Sequence, residues 1–218
     1  MNLSPRLAAI ARMIPQGAAL ADIGSDHAYL PIHMIRNEAV ASAIASDISG
    51  HCIARARANA RRAGVEDRIS FRLADGLCGI RPEECDTVVI AGMGGESAAA
   101  ILAGCPWAPE KRLILQPATR ADFLRRWLYR HDCGITDETV VRDAGRLYAV
   151  FAAQRGEPPA GEVYEYASPA LLEKAVLTDA EGREVRAYLL RTADLLAREV
   201  GRDHGDVIAA LRKAAGAE

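Results

Sequence analysis

The chain has 218 residues, of which 50% are hydrophobic, so it can bury the core of one sizeable α/β domain and carry a small additional segment. Its formal net charge of −2 excludes a bulk attraction to nucleic acid and leaves basic residues to act as local patches. No stretch reaches the roughly 18 consecutive apolar residues of a membrane span, and no secretion signal is visible. We therefore expect a cytoplasmic protein without a membrane partner.

The cysteines also favour a reducing compartment. They contain no Cys-x-x-Cys spacing and are odd in number: Cys52, Cys78, Cys85, Cys105 and Cys133. This pattern predicts plain thiols rather than a disulfide framework or a zinc site, and no other metal site is predicted.

Short apolar runs alternate with helical patterns along most of the chain. After an amphipathic helix near the N-terminus, the predicted strands are residues 18–24, 41–47, 68–76, 86–95 and 112–117. The predicted helices are residues 29–38, 49–64, 96–104 and 120–133. This alternation predicts a mostly parallel sheet with helices on both faces.

The last two strands break this alternation. Residues 135–143 and 146–154 are separated by only Ala144 and Gly145, which is too short for a crossover helix. The pattern predicts an antiparallel hairpin at the edge of a seven-stranded sheet. Such an ending is typical of the Rossmann-like methyltransferases that use S-adenosylmethionine (SAM), whereas the nicotinamide-binding Rossmann fold usually continues with a parallel strand.

A linker rich in proline and glycine, residues 155–161, precedes a change of composition. We predict a methyltransferase-like domain over residues 1–157 and a helical domain over residues 162–218, with two or three helices packed as a hairpin. The apolar stripe of the helical domain is predicted to contain Val185, Leu189, Thr192, Leu195 and Leu196. Residues 161–218 hold 8 basic against 11 acidic side chains, which argues against nonspecific binding of nucleic acid there.

Ligands of an open parallel sheet bind beyond the carboxyl ends of its strands. Asp47 ends the second strand, about twenty residues after the first loop, where an acid binds the ribose hydroxyls of an adenosine cofactor. Ile48 follows it. Asp75, after the third strand, is placed to accept a hydrogen bond from the adenine amino group, or it only caps a turn beside Gly76.

The loop after the first strand reads "DIGSDHAYLP". Gly24 is the single glycine left of the three that such a loop usually has, and Ser25, Asp26 and His27 follow it. Asp26 would repel a pyrophosphate and attract the ammonium and sulfonium groups of SAM, although it could also only cap the next helix. His27 is a spacer, a substrate contact, a catalytic group or a solvated histidine. The loop therefore favours SAM over a nicotinamide dinucleotide, with Asp22 also in the cofactor site.

The glycine-rich stretch "AGMGG" follows the fourth strand. We assign Ala91, Gly92 and Met93 to the cofactor, and Gly94 and Gly95 to the substrate, because glycines let a backbone pass close to a flat ring. The motif alone is weak, since glycines also serve tight turns. Gln116 and Pro117, at the end of the fifth strand, complete the candidate site.

The stretches "LSPRLAAIARMIPQG", "ADIGSDHAYLP", "DGL", "IAGMGG" and "RLILQP", in this order, resemble the bacterial tRNA (adenine(22)-N1)-methyltransferase family over essentially the whole chain. The resemblance implies methyl transfer from SAM to N1 of an adenine in the D-arm region of tRNA. It also implies a Rossmann-like catalytic domain that bears a coiled-coil-like helical domain. Members often carry Glu where this chain has Asp47.

This reaction needs position and orientation more than a strong base, because N1 of an unpaired adenine has a free lone pair. A carboxylate could stabilise the positive charge of the methylated base; Asp26 is the first candidate and Asp22 the second. A paired target must leave its helix before it can react. Basic side chains that could flank the site are Arg6, Arg12, Arg120, Arg125, Arg126 and Arg130, of which Arg6 and Arg120 are the predicted substrate contacts.

Several alternatives remain open at this point. The fold signals fit a SAM-dependent methyltransferase of a small molecule or a protein equally well, and a catalytically silent RNA-binding module could keep the same fold. Asp26 and the terminal hairpin disfavour a nicotinamide oxidoreductase. Adjacent residues of one turn cannot converge as a hydrolase triad does. The helical domain could contact tRNA, mediate self-association or pack on the first domain, and a monomer is the simpler expectation.

Overall fold

A computed structural model describes residues 2–199 and 203–217. Its seven-stranded sheet has the order β3-β2-β1-β4-β5-β7-β6. The strands are β1 Ala18–Ile23, β2 Val40–Asp47, β3 Ile69–Leu73, β4 Thr87–Ala91, β5 Arg112–Gln116, β6 Cys133–Asp143 and β7 Arg146–Arg155. Strands β1 to β5 pair in parallel, and β7 pairs antiparallel with both β5 and β6. The predicted Rossmann-like methyltransferase architecture is confirmed.

Helices cover both faces of this sheet, as predicted. They are α1 Pro5–Met13, α2 Tyr29–Arg36, α3 Gly50–Arg62, α4 Gly95–Ala103, α5 Ala121–Arg130, α6 Pro169–Lys174, α7 Ala180–Leu196 and α8 Gly205–Ala214. Successive strand residues point to opposite faces. Leu20 therefore packs with the buried side of α1 to α3, whereas Ala21 packs with α4 and α5.

Turn residues set the element boundaries. Gly64, with a φ of +72°, follows the end of α3 as the sequence predicts. The two-residue loop between β6 and β7 consists of Ala144 and Gly145, both with positive φ, which is the twist that a tight hairpin requires. Strand β3 is shorter than predicted because the chain turns at Gly76, whose φ is +57°.

The C-terminal helices bury an apolar cluster of their own, separate from the clusters on the two faces of the sheet. It includes Val140 of β6, so these helices pack on the hairpin edge of the sheet. The buried stripe of α7 runs through Val185, Leu189, Ala193 and Leu196. Leu195 was expected in this stripe, but it is 57% exposed because it lies one residue, about 100° of helix rotation, away from Leu196. The division at residues 157 and 162 stays a prediction. Met1, residues 200–202 and Glu218, which the predicted domains include, lie outside the described residues.

Among residues 2–199 and 203–217, we find no helix whose length and apolar character would let it span a bilayer.

Candidate functional site

The loop after β1 is held in place by hydrogen bonds to β2 and by a close contact with the loop after β4. The backbone N–H groups of Gly24 and Ser25 donate to the Ser46 carbonyl of β2, at 2.9 and 3.0 Å. Gly24 has a φ of +72°, and a Cβ at this position would lie 2.8 Å from Cε of Met93. The loops after β1 and β4 thus approach each other as closely as a glycine allows.

Asp22 lies beneath this loop and is buried. The Ser25 hydroxyl donates to its carboxylate, Oγ to Oδ2, at 2.6 Å. Burial raises the pKa of Asp22 to about 7; the hydrogen bond from Ser25 opposes the shift and the charge of Asp47 adds to it. The group is therefore a buried carboxyl that changes its protonation near neutral pH.

Asp26 projects from the same loop with a φ of +43°, and its side chain is half exposed. Its carboxylate lies 3.2 Å from Nη1 of Arg55 and 3.5 Å from Nε2 of His27. The His27 ring stacks in parallel on Tyr29, with 4.9 Å between the ring centroids. Asp26 is not the cap of α2, because the N-cap residue is Ala28 and no side chain caps it.

Sequence reasoning missed the contribution of α3 to this loop. Besides the contact of Arg55 with Asp26, Nδ2 of Asn59 donates to the His27 carbonyl at 2.9 Å. Arg55 and Asn59 are four residues apart and therefore share one helix face. The available signal was composition, since residues 50–64 contain four arginines and no acid.

The carboxylate of Asp47, at the end of β2, still has free hydrogen-bonding capacity. Oδ2 of Asp47 accepts from the Asp26 N–H at 3.1 Å, and Oδ1 accepts from the Ser49 N–H at 2.9 Å. Each carboxylate oxygen can accept more than one hydrogen bond, so Asp47 can still bind hydroxyl groups. Ile48 beside it is 69% exposed, which leaves a flat apolar surface at the strand end.

Asp75 is exposed after β3, and its carboxylate has no partner among the described residues. The turn beside it is closed by its backbone carbonyl, which accepts from the Cys78 N–H at 3.0 Å. The carboxylate therefore does not cap this turn. A cavity of about 230 Å³ lies here, lined in part by Gly76 and Ile101.

Gln116 organises the ends of β4 and β5. Its Oε1 accepts from Gly92 N–H at 3.2 Å and from Nη1 of Arg6 at 3.1 Å, and its Nε2 donates to the Pro117 carbonyl. Gln116 and Pro117 are buried, so they position neighbouring groups. The half-buried Arg6 also lies over the Tyr148 ring, 5.2 Å from its centroid. Tyr148 could not be assigned from the sequence, because it reaches this edge only through the pairing of β7 with β5.

The glycines after β4 differ in their surroundings. A Cβ on Gly92 would meet nothing closer than Nη1 of Arg6 at 3.9 Å, so the space beside it is open. Gly94 precedes α4. Gly95 is buried, donates its N–H to the Thr119 carbonyl at 2.8 Å, and would place a Cβ 2.1 Å from the Arg120 carbonyl oxygen. Gly95 thus packs against backbone, whereas Gly92 borders open space.

The other five arginines proposed to flank the site fall into three groups. Arg125 is wrong as a surface contact: it is buried and paired with Glu138 of β6. Arg120 is exposed and forms an ion pair with Glu96 at 3.0 Å, whereas Arg126 is partly buried and forms ion pairs with Asp122 and Glu165. Arg12 and Arg130 are exposed. Within residues 2–199 and 203–217, no group of three or more His, Cys, Asp or Glu side chains could hold a metal ion.

The fold and these strand ends match known proteins. Residues 3–151 match the family described as "Methyltransferase domain". The tRNA (adenine(22)-N(1))-methyltransferase of Bacillus subtilis is 42% identical over 159 residues, which are 72% of this chain and 67% of that protein. The chain belongs to the tRNA (adenine(22)-N1)-methyltransferase family.

Solved structures of similar proteins extend the match to the C-terminal helices. One is a candidate tRNA (m1A22) methyltransferase of Streptococcus pneumoniae in complex with SAM, with a TM-score of 0.82 and 30% identity. It covers 99% of this chain and 98% of its own. The B. subtilis m1A22 tRNA methyltransferase has a TM-score of 0.77 and 31% identity, covering 99% and 95%. The family resemblance expected from the sequence is confirmed, and in this family member the second strand ends in Asp47.

Proposed function

We propose that this chain transfers the methyl group of SAM to N1 of adenine 22 in tRNA. The observation that carries the proposal is the 42% identity to a relative named for this reaction. The strand ends independently support the SAM site, because carboxylates at the ends of β1, β2 and β3 border one edge of the sheet beside open backbone at Gly92.

The residues at this edge fit SAM. Asp47 would accept the ribose hydroxyls, Asp75 the adenine amino group, and the exposed Ile48 would lie against the adenine ring. When bound, SAM supplies an electrophilic methyl group on a sulfonium. The full proposed cofactor set is Asp22, Gly24, Ser25, Asp26, His27, Asp47, Ile48, Asp75, Gly76, Ala91, Gly92 and Met93.

The loop after β1 would supply the charge near the reacting base. N1 of adenine forms the new bond to the methyl carbon, the carbon–sulfur bond breaks, and the base becomes a cation without losing a proton. We assign Asp26 to stabilise this cation, since its carboxylate is half exposed. Arg55 would position Asp26. Asp22 is buried and bonded to Ser25, so we assign it to bracing the loop.

The substrate would approach over the ends of β4 and β5. Adenine N1 lies on the Watson–Crick edge, so the base must leave its helix to reach this place. Gly94 and Arg120 border the approach, Arg6 lies beside open Gly92, and Gly95, Gln116 and Pro117 support these groups from below. A tRNA substrate agrees with the cytoplasmic location expected from the sequence, and a monomer remains our expectation.

The test uses purified protein, tritiated SAM and two unmodified tRNAs, one with adenine at position 22 and one with guanine there. We expect label only in the adenine tRNA. Equal label in both would overturn the assignment of the base. No label in either tRNA, while calorimetry shows that SAM binds, would support the alternative of another substrate or a silent RNA-binding module.

A further inference from the structure

A second cavity lies beside the proposed site. It shares Pro117 and Arg120 with the proposed substrate approach, but its other lining residues have no role in the reaction described so far. It has a volume of about 450 Å³ and is bounded by the segment after β5, the start of β7, α5 and α7. Ligand pockets in proteins commonly have volumes of about 300–1,000 Å³. This interhelical cleft is therefore large enough for a nucleotide.

The interhelical cleft is displaced along the sheet from the loop that we assign to SAM, and we assign the reacting base to the strand ends beside Gly92 instead. The sheet order places β4 and β5 between β1, which carries the SAM loop, and β7, which carries cleft residue Tyr148. Three strand spacings amount to about 14 Å. The cleft nevertheless begins at Pro117 and Thr119, directly after β5, and Tyr148 contacts Arg6 beside Gly92. It is thus adjacent to the place of the target adenine.

The chemistry of the cleft fits a base with its phosphate. Tyr148 and Tyr188 both line the cleft, are only partly buried, and each have an arginine guanidinium over the ring. Leu195 is exposed towards the cleft, although it lies outside the buried stripe of α7. Aromatic and apolar side chains of this kind stack unpaired bases.

Polar groups of the cleft are still available to a ligand. Arg125 and Arg126 are paired with acidic residues, whereas Arg191 makes no ion pair within the described part of the chain. Tyr188 accepts a hydrogen bond from Nη2 of Arg125 at 3.1 Å, so its hydroxyl hydrogen can be donated elsewhere. The Arg191 guanidinium and the Tyr188 hydroxyl, both of which line the cleft, suit the phosphate and base of one nucleotide.

We propose that the interhelical cleft binds a nucleotide that flanks the target adenine in tRNA, with its base among the tyrosines and Leu195 and its phosphate at Arg191. This inference rests on the proposed function and extends it by giving α7 a role in substrate recognition. Holding a flanking nucleotide outside the helix would keep the target base unpaired. The excess of acidic side chains in the helical domain does not argue against this binding, because the proposed contact involves only one nucleotide and the residues of the cleft.

The test measures the Kd of labelled tRNA in the presence of S-adenosylhomocysteine, which prevents turnover. It compares the full-length protein with Arg191→Glu and with Arg183→Glu, a control that makes the same charge change on an exposed residue of α7 outside the cleft. Three tRNAs are used: the intact one and two that each lack one of the bases next to adenine 22. The Kd of SAM, measured by calorimetry, reports that each variant is folded.

We expect Arg191→Glu to raise the Kd of intact tRNA about tenfold, from the loss of a charge-assisted contact, and Arg183→Glu to change it less than about twofold. Removing one flanking base should raise the wild-type Kd about tenfold, with a clearly smaller effect in Arg191→Glu. Equal effects of the two charge reversals, or no effect of either missing base on the wild type, would overturn the proposal. Wild-type protein that binds tRNA but methylates none would overturn the proposed function alone.

Discussion

Asp26 is half exposed and contacts Arg55 and His27, so it is the residue of the loop after β1 whose role a substitution can test most directly. Asp26→Asn removes the charge proposed to stabilise the methylated base, so we expect kcat to fall by about 10²-fold. The half-exposed ion pair with Arg55 is worth only about 0–1 kcal/mol, so the melting temperature should change little. Initial rates with tritiated SAM and thermal melting check both expectations.

A matched control separates this effect from the loss of any surface ion pair. Asp137 is also partly exposed and lies 2.7 Å from its partner Lys174, but it is on β6, away from the proposed site. Asp137→Asn should leave kcat unchanged. Full activity in Asp26→Asn would contradict the assignment.

Asp22 gives the protein an expected pH dependence. Burial raises its pKa from 3.8 to about 7. Between those values the folded protein keeps a proton that the unfolded chain has released, so stability falls as the pH rises through this window. Asp22→Asn keeps an acceptor for Ser25 and removes the titration.

We therefore expect Asp22→Asn to unfold at about the same urea concentration as the wild type near pH 4. Near pH 8 the variant should be more stable, by an amount on the order of 4 kcal/mol at most, since the shift of the Asp22 pKa from 3.8 to about 7 spans roughly three pKa units of about 1.4 kcal/mol each. Urea titrations at both pH values measure the difference. A difference that does not change with pH would show that the Asp22 charge is not the cause.

Sequence reasoning proposed those candidate site residues that follow a strand along the chain. Asp47 and Asp75 could be assigned because the carboxyl ends of parallel strands meet at one edge. Arg55 and Tyr148 could not, because their contacts join segments that the fold alone brings together. Arg125 was misjudged for the same reason: its partner Glu138 lies on another element, and nothing local marks the arginine as buried.

At the scale of elements, the spacing of apolar residues predicted the strands, the five helices that pack on the sheet and the hairpin. Boundaries were less accurate where a turn is stabilised by a neighbouring strand. The Ala74 N–H, for example, donates to the Asp47 carbonyl just after β3 ends. The glycines after β4 show the same limit, since the sequence alone could not separate open Gly92 from buried Gly95.

The junction between α4 and the turn before α5 depends on Gly95. A Cβ here would lie 2.1 Å from the Arg120 carbonyl oxygen, and backbone cannot move aside as a flexible side chain can. We expect Gly95→Ala to destabilise the protein by about 1–3 kcal/mol, as overpacking does. The measurement is urea unfolding.

Gly104 at the other end of α4 provides the control. A Cβ there would be 3.6 Å from the nearest atoms, an ordinary contact, and its φ is negative. Gly104→Ala should be neutral or slightly stabilising. If both substitutions changed the free energy of unfolding equally, the proposed close contact between Gly95 and the Arg120 carbonyl would be contradicted.

On the scale of the whole molecule, one buried ion pair connects the sheet to the C-terminal helices. Arg125 of α5 is paired with Glu138 of β6, and Arg125 also donates to the Tyr188 hydroxyl of α7. Glu138 accepts in addition from the Ser168 N–H, at the start of α6, at 3.2 Å. The helical region is thus joined to the catalytic fold through charged groups that are hidden from water.

Glu138→Gln leaves the buried Arg125 charge without a counter-charge, which commonly costs about 3–5 kcal/mol. The exposed pair of Arg142 of β6 with Glu184 of α7, at 2.8 Å, also joins the sheet to the C-terminal helices, so Glu184→Gln is the control and should cost less than about 1 kcal/mol. Both tryptophans, Trp107 and Trp127, precede the helical region, so their fluorescence reports on the sheet, while circular dichroism also reports on the C-terminal helices. We expect coincident urea transitions for the wild type and separate ones for Glu138→Gln, with helical signal lost first. A single unshifted transition in Glu138→Gln would mean that apolar packing, and not this ion pair, joins the two parts.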